Sequence, residues 1–511
     1  MNKASSIGTA TIVLTIFGFI AKVTGFFREV LFANFFGLSR DYEFYLVASI
    51  LPITLNSISL YIYQNYFIPA YSKQNQNDNE QASQFARRAF INSFIISVIS
   101  LLILFVFRIQ ILSLYVGTQF ISEKTELLFI IFSCTVPFGI ISGFLTAYLQ
   151  TNFNFKSPAI AGLMLNVFTI AALLIFKEKN IVIIAFAYLT GICIQTIILL
   201  KISKVWQIIF YKFQKPIKEF ISQNSLIIWI ILIEVIGQLY VLSDRYFLSK
   251  VDEGGIAAIN YATTIFLLPI SIITISITTA ILPKFSQLAT AKLDEELKEK
   301  LKAALTNTAL TFIPLTFLFL FFGKEVIRIL FERGNFNYQS TQMTYEVLFY
   351  LSLSLLFYSL YGILNKIFYV YEMVKTLFFV TILGISIKLI LNFLFVDSMK
   401  QNGLVISTSF SYIFFFIISV LIIQKRLKIL EIKDTFNKIL FYALNGIVSL
   451  IVVKILFTLV QSESILFDLL KIFLFFLIYY INNLFLNDLY QRKLLDELIR
   501  ILPISNQNQR K

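Results

Sequence analysis

The sequence predicts an all-α polytopic membrane protein, and three observations predict it. Of the 511 residues, 58% are hydrophobic and only 14% charged, more apolar side chain than a water-soluble fold has interior to hide. The apolar residues gather into about fourteen runs, most near the roughly 20 residues that a spanning helix needs. The alternating pattern of a β-barrel strand is absent from these runs.

In chain order the runs lie near 7–27, 44–69, 86–107, 127–149, 158–176, 181–200, 225–249, 256–282, 304–323, 343–370, 375–396, 402–424, 439–460 and 464–485. The first lacks a small-residue cleavage site and more runs follow at once, so it reads as a span and not as a removable signal. Cys134 and Cys193 both fall inside runs and read as packing residues, not as a disulfide framework. Histidine is absent. That excludes His metal ligands, His proton relays and Ser–His catalysis together, and no metal site or cofactor is expected.

The formal charge is +14, and its placement carries more information than its size. With the N-terminus inside, the cytoplasmic segments hold roughly 26 Lys and Arg and the external ones roughly 11. The inside clusters lie near 201–219, 284–302, 425–438 and 492–511. This asymmetry fits an even number of spans with both termini cytoplasmic. The lysines are expected at membrane borders against anionic lipid headgroups, which leaves no role for nucleic acid.

The chain repeats. "VASILPITL" leads into a run that closes with "YFIPAYSKQ", and later "YATTIFLLPISI" leads into one that closes with "AILPKFSQL". Each copy has one proline early (Pro52, Pro269) and another at its far end (Pro69, Pro283). Proline kinks a helix by removing a backbone donor, and a second one helps to end it. The reading is two pseudo-symmetric six-helix lobes, 1–200 and 225–424, in parallel orientation. A basic linker, 201–224, joins them, and 425–511 adds two helices and a cytoplasmic tail. Transporters built this way hold substrate between the halves. The most polar segments, 72–84 and 291–308, are short, and a soluble catalytic domain has no room. An enzyme is not expected.

Ionisable groups inside spans point to function, since each is costly there. In the first half these are Lys22, Arg28 and, at the start of the second run, Glu43. Lys22 and Arg28 are about 9 Å apart along a helix, within reach of one extended anionic ligand or of separate headgroups. Glu43 reads either as a site residue or as a partner of Arg28 or Arg40. In the second half they are Glu234, Asp244, Arg245, Lys366, Glu372 and Lys388. Asp244 and Arg245 are adjacent and point in different directions, so each needs a partner elsewhere. Lys366, late in its run, snorkels easily to the surface. Lys388 stands mid-run with Asn392 one turn later and must be neutral or paired there; a carboxylate partner is favoured, with Asp244 the leading candidate. The 56 phenylalanines read as lipid-facing and core residues, and Gly143, Asn166 and Asn365 as helix-packing residues.

These residues resemble a family. "AKVTGFFREVLFANFFG" resembles the opening of MurJ (MviN) proteins, which read S-R-x-x-G-x-x-R-[DE] followed by F-G. "LFERGNF" (330–336), "ILPKFS" (281–286) and the segment ending "GLVISTS" are similar to segments of the same family. The resemblance spans most of the chain, in order. It implies a member of the multidrug/oligosaccharidyl-lipid/polysaccharide exporter superfamily in the bacterial cytoplasmic (inner) membrane. The implied activity is a flippase that moves an undecaprenyl-pyrophosphate-linked glycan, lipid II or a polysaccharide repeat unit, by alternating access. Cell-envelope biosynthesis proteins are its expected protein partners. By position Lys22 and Arg28 stand at the family's two arginines and Glu43 at a usual aspartate, with Arg245 and Lys366 added as further substrate-binding candidates. Asp244, Lys388, Asn392 and Thr408 fall near a sodium site of some members. Glu234 joins them as a candidate for ion coupling, to sodium, protons or the membrane potential. The chain also departs from the pattern: Lys22 and Ala21 replace Arg and Ser, "LPITLNSIS" carries no arginine, and Thr264 stands where the family has one. The departures bear on which glycan is carried. The rival reading is an ion-coupled exporter of small amphipathic molecules, which requires an acidic cavity.

Overall fold

The computed structural model describes residues 3–116, 121–176, 180–210, 225–457 and 464–485. The linker expected over 201–224 is described as far as Phe210, and the basic tail beyond Phe485 lies outside the described residues. The structure is helical, with no strand among the described residues. Every one of the fourteen apolar runs falls on helix where it is described. Among the described residues, ten helical stretches, some joining neighbouring helices, are long and apolar enough to cross a membrane, or eleven if one bent pair counts as a span.

The first half begins with α1 (Lys3–Phe36) and α2 (Arg40–Ile62), which passes through a π-helical turn, Tyr63–Phe67, into α3 (Ile68–Asn77). Then come α4 (Asn79–Val106), α5 (Arg108–Val116), α6 (Glu123–Ser133), α7 (Thr135–Thr151), α8 (Lys156–Ile175), α9 (Ile181–Ser203) and α10 (Val205–Ile209). Short polar side chains start several of them. Asp78 Oδ1 accepts the Glu80 N–H at 2.8 Å, Ser122 Oγ that of Thr125 at 3.1 Å, and Asn180 Oδ1 that of Val182 at 3.0 Å.

The second half holds α11 (Ser225–Leu242), a 3₁₀ segment (Ser243–Lys250), α12 (Gly255–Pro269), a second π-helical turn (Ile270–Thr274) and α13 (Ile275–Thr290). It continues with α14 (Asp294–Phe331), α15 (Tyr338–Ser352), α16 (Leu355–Val370), α17 (Val374–Arg426), α18 (Ile432–Phe457) and α19 (Ile465–Phe485). The runs 375–396 and 402–424 share α17, which breaks at Lys400, where φ is +52°. Both copies of the proline repeat carry a π-helical turn between their two prolines.

Contacts divide the chain into two compact units. Unit 1 comprises Met1–Tyr261, Arg333–Ser340 and Leu389–Leu404; unit 2 comprises Ala262–Glu332, Thr341–Lys388 and Val405–Lys511. These boundaries differ from a cut near residue 224, because 225–261, 333–340 and 389–404 pack with the N-terminal helices. In unit 1, Phe67, Tyr71, Phe144 and Tyr148 form an aromatic core with Phe85 and Phe90 against it. A Cβ at Gly143 would lie 3.3 Å from the Leu60 Cα, so glycine permits the close helix approach there. In unit 2, Tyr442 and Tyr479 pack on Ala309, Leu310 and Ile313. The Tyr479 hydroxyl donates to the Leu310 carbonyl at 3.3 Å, and Asn445 Nδ2 donates to the Tyr479 carbonyl at 3.0 Å. The last two helices are therefore docked on α14 by core contacts.

Candidate functional site

The polar groups of α1 meet their partners inside unit 1. Arg28 donates from Nη2 to Glu29 Oε1 at 2.8 Å and from Nε to the same oxygen at 3.3 Å. Its Nη1 donates to Asn166 Oδ1 on α8 at 3.0 Å. Asn166 in turn donates to Thr24 Oγ1 at 3.3 Å, so it packs the two helices as expected and also orients the guanidinium. Among the described residues, three of the five guanidinium N–H groups are used in this way, and the other two find no partner. Lys22 is half-buried on the same helix. With Glu29 counted, this stretch of α1 carries one net positive charge and not two.

Glu29 belongs to a second set of bonds. Its Oε2 accepts from the buried Tyr42 hydroxyl at 2.8 Å and from Asn260 Nδ2 at 3.1 Å. Tyr42 stacks on Phe32 and on Tyr261, with ring centroids 5.0 and 5.3 Å away. The Tyr261 hydroxyl donates to the Gly37 carbonyl at 3.2 Å. Glu43 is fully buried. Its Oε2 accepts from Arg40 Nη1 at 3.3 Å and its Oε1 from the Ile256 N–H at 3.0 Å. That places a carboxylate on the N-terminus of α12, where the helix dipole and open N–H groups favour an anion.

Backbone bonds extend this seam around the α1–α2 turn. The Asn335 N–H donates to the Asn34 carbonyl at 2.9 Å, and Asn335 Nδ2 donates to the Phe35 carbonyl at 2.6 Å. Gly37 and Gly334 have φ of +54° and +59°, and a Cβ on either would strike the backbone across the seam. Only glycine meets both demands there. The seam lies at the end of unit 1 that the charge asymmetry assigns to the outside.

The structure brings Asp244 and Asn392 together: Asn392 Nδ2 donates to Asp244 Oδ1 at 3.0 Å, and Asn392 is fully buried. Glu234 Oε1 accepts from Gln238 Nε2 at 2.8 Å along α11. Arg245 lies in the 3₁₀ segment, and its side chain is outside the described residues. In unit 2, Lys388 is buried at 1% exposure and Thr408 is half-buried. The half-buried Lys366 sits 5.8 Å from the Tyr369 ring centre. Among the described residues, no group of three His, Cys, Asp or Glu is placed to hold a metal ion.

Sequence reasoning missed Glu29, Tyr42 and Asn260. Glu29 follows Arg28 in "FFREV", and a carboxylate adjacent to an in-span arginine was the available signal.

The family described as lipid II flippase MurJ matches residues 32–479. A lipid II flippase MurJ of Thermosipho africanus is 28% identical over 497 residues, covering 95% of this chain and 98% of that protein. A probable lipid II flippase MurJ of Borreliella burgdorferi is 24% identical, covering 86% and 87%. Among solved structures, a lipid II flippase MurJ in an inward closed conformation superposes with a TM-score of 0.78 at 24% identity, covering 94% of this chain and 99% of that one. An inward-facing multidrug resistance MATE family transporter of the MOP superfamily gives a TM-score of 0.64 at 14% identity, covering 82% and 98%. The two structural likenesses establish a shared fold.

Proposed function

The chain belongs to the MurJ lipid II flippase family, and from that premise we propose how this multi-pass inner-membrane protein moves its cargo. The protein is a flippase for a lipid-linked glycan, and lipid II is the cargo its named relatives point to. The observation that carries the mechanism is the Arg28 guanidinium: inside a span, oriented by Glu29 and Asn166, with two N–H groups left to bind.

The cargo's polyprenyl tail stays in the bilayer while its diphosphate and sugars enter from the cytoplasmic side. Lys22 contributes a mobile point charge, and Arg28 offers a planar donor pair suited to phosphate oxygens. Glu29 offsets part of this charge, which keeps the hold weak enough for release. In this reading the bonds of Glu29, Tyr42, Asn260, Glu43 and Asn335 break when the headgroup leaves outside. An inside-negative potential assists, at about 2.3 kcal/mol per charge per 100 mV, or roughly 4–5 kcal/mol for a diphosphate of about two charges. No G-x-x-x-x-G-K-[ST] loop occurs in the sequence, so the field and not nucleotide hydrolysis is the proposed drive. Lys388, a buried ammonium four residues before Asn392, supplies a built-in charge in place of a sodium ion.

The test is growth of a strain whose own lipid II flippase can be switched off. Growth on this chain, in sodium-depleted as in sodium-containing medium, is expected. Lys22→Ala and Arg28→Ala should each fail while still inserted and folded. Failure of the unaltered, well-inserted chain would transfer the assignment to a polysaccharide repeat unit. Growth only with sodium would refute the role given to Lys388.

A further inference from the structure

Unit 2 contains an apolar groove of about 310 Å³, within the size range of ligand sites. Its walls include Leu305 of α14, Leu360 of α16, Val420 and Leu421 of α17, and Ile432 and Phe436 of α18, with Thr435 the one polar residue lining it. Leu421 is 57% exposed and Phe436 60%, so the groove opens on the outer surface of the helices.

The rim is cationic. Lys425 stands one turn beyond Leu421 on the same helix face. Lys428 occupies the turn from α17 to α18 with φ of +57°, and Lys433 follows the lining residue Ile432. All three are exposed. The two carboxylates at the rim are engaged elsewhere. Glu431 accepts from Lys302 at 2.5 Å and lies 4.0 Å from Lys298, and Asp434 accepts from Lys302 at 2.8 Å. Arg426, also exposed, donates to Thr376 Oγ1 at 3.1 Å. The cluster 425–438 is one that the charge asymmetry assigns to the cytoplasmic border.

We propose that this groove binds an anionic phospholipid of the cytoplasmic leaflet, with an acyl chain along Leu421 and Phe436 and the phosphate at Lys425 and Lys428. The apolar wall alone would accept any acyl chain. The exposed lysines, with the neighbouring acids held by Lys298 and Lys302, select a net-negative headgroup over a zwitterionic one. The proposal makes no use of the transport cargo, so it stands or falls apart from the flippase mechanism.

The experiment is native mass spectrometry of the purified full-length chain with phosphatidylglycerol and phosphatidylethanolamine of matched chains. Phosphatidylglycerol should be retained several-fold better. Lys425→Gln with Lys428→Gln should reduce it to the phosphatidylethanolamine level, and Lys425→Arg with Lys428→Arg should keep it. Val420→Trp, which fills the groove, should lower retention of both lipids. Leu421→Asn, at an exposed position, replaces Val420→Trp if that variant melts below the parent. Equal retention of the two lipids, or no loss on filling the groove, would overturn the proposal. So would a polyprenyl diphosphate that displaces bound phosphatidylglycerol, which would make the groove part of the cargo path.

Discussion

Glu29 ties the α1 cation to the closed seam. One oxygen takes Arg28, and the other takes Tyr42 and Asn260. On the proposed mechanism, a ligand that draws Arg28 away would weaken the seam, and Glu29 would link occupancy to opening. Glu29→Gln keeps the shape and removes the charge. Charge-assisted bonds of this kind are each worth about 1.5–3 kcal/mol, so opening should become about tenfold or more easier. The readout is labelling of Ile256→Cys, a position 2% exposed, by a membrane-impermeant maleimide in a Cys134→Ser, Cys193→Ser background. Faster labelling in Glu29→Gln is expected, and an unchanged rate would contradict the link. Lys22 and Arg28 were legible in the sequence because a charge in an apolar run is conspicuous. Asn260 was not, because its partner Glu29 lies 231 residues away and an asparagine in a span reads as packing. Glu43 was legible as a charge at the entry to the second run, with Arg40 among its candidate partners, but its full burial and its place on the N-terminus of α12 depend on tertiary structure.

Among the elements, proline spacing revealed the two broken helices of the repeat, while the π-helical turns inside them leave no compositional mark. The last two helices looked like an addition outside the repeat. In the structure α19 is held to α14 by ion pairs as well as by Tyr479. Arg328 Nε donates to Asp468 Oδ2 at 2.6 Å, and Lys471 lies 3.8 Å from Glu325 and 4.0 Å from Asp468. The Asp468 side chain is 1% exposed. Removing one member of a buried pair costs about 3–5 kcal/mol, while an apolar replacement of both is often neutral. Asp468→Asn should therefore lower the unfolding midpoint in detergent clearly, and Arg328→Met with Asp468→Leu should recover most of the loss. A midpoint for Asp468→Asn equal to that of the parent would show that the pair contributes little to docking.

For the molecule as a whole, hydropathy was enough for the class, because backbone groups in lipid leave helices as the economical solution for long apolar runs. The count of spans was less legible. The runs 375–396 and 402–424 are separate in hydropathy and joined in backbone as α17, whereas the single run 343–370 is broken between α15 and α16. The grouping into units was least legible, since unit 1 gathers 333–340 and 389–404 through bonds such as Asn335 to Asn34 and Asn392 to Asp244. The central claim is that this assembly carries a diphosphate-linked headgroup outward through the Arg28 region. The most direct measurement uses cells depleted of their own lipid II flippase and producing this chain. An externally added hydrolase that cleaves lipid II reports how much has reached the outer leaflet. The account predicts prompt cleavage with the unaltered chain, slower cleavage when the membrane potential is collapsed, and little with Arg28→Ala. Uncleaved lipid II in cells that hold the folded, inserted chain would contradict it.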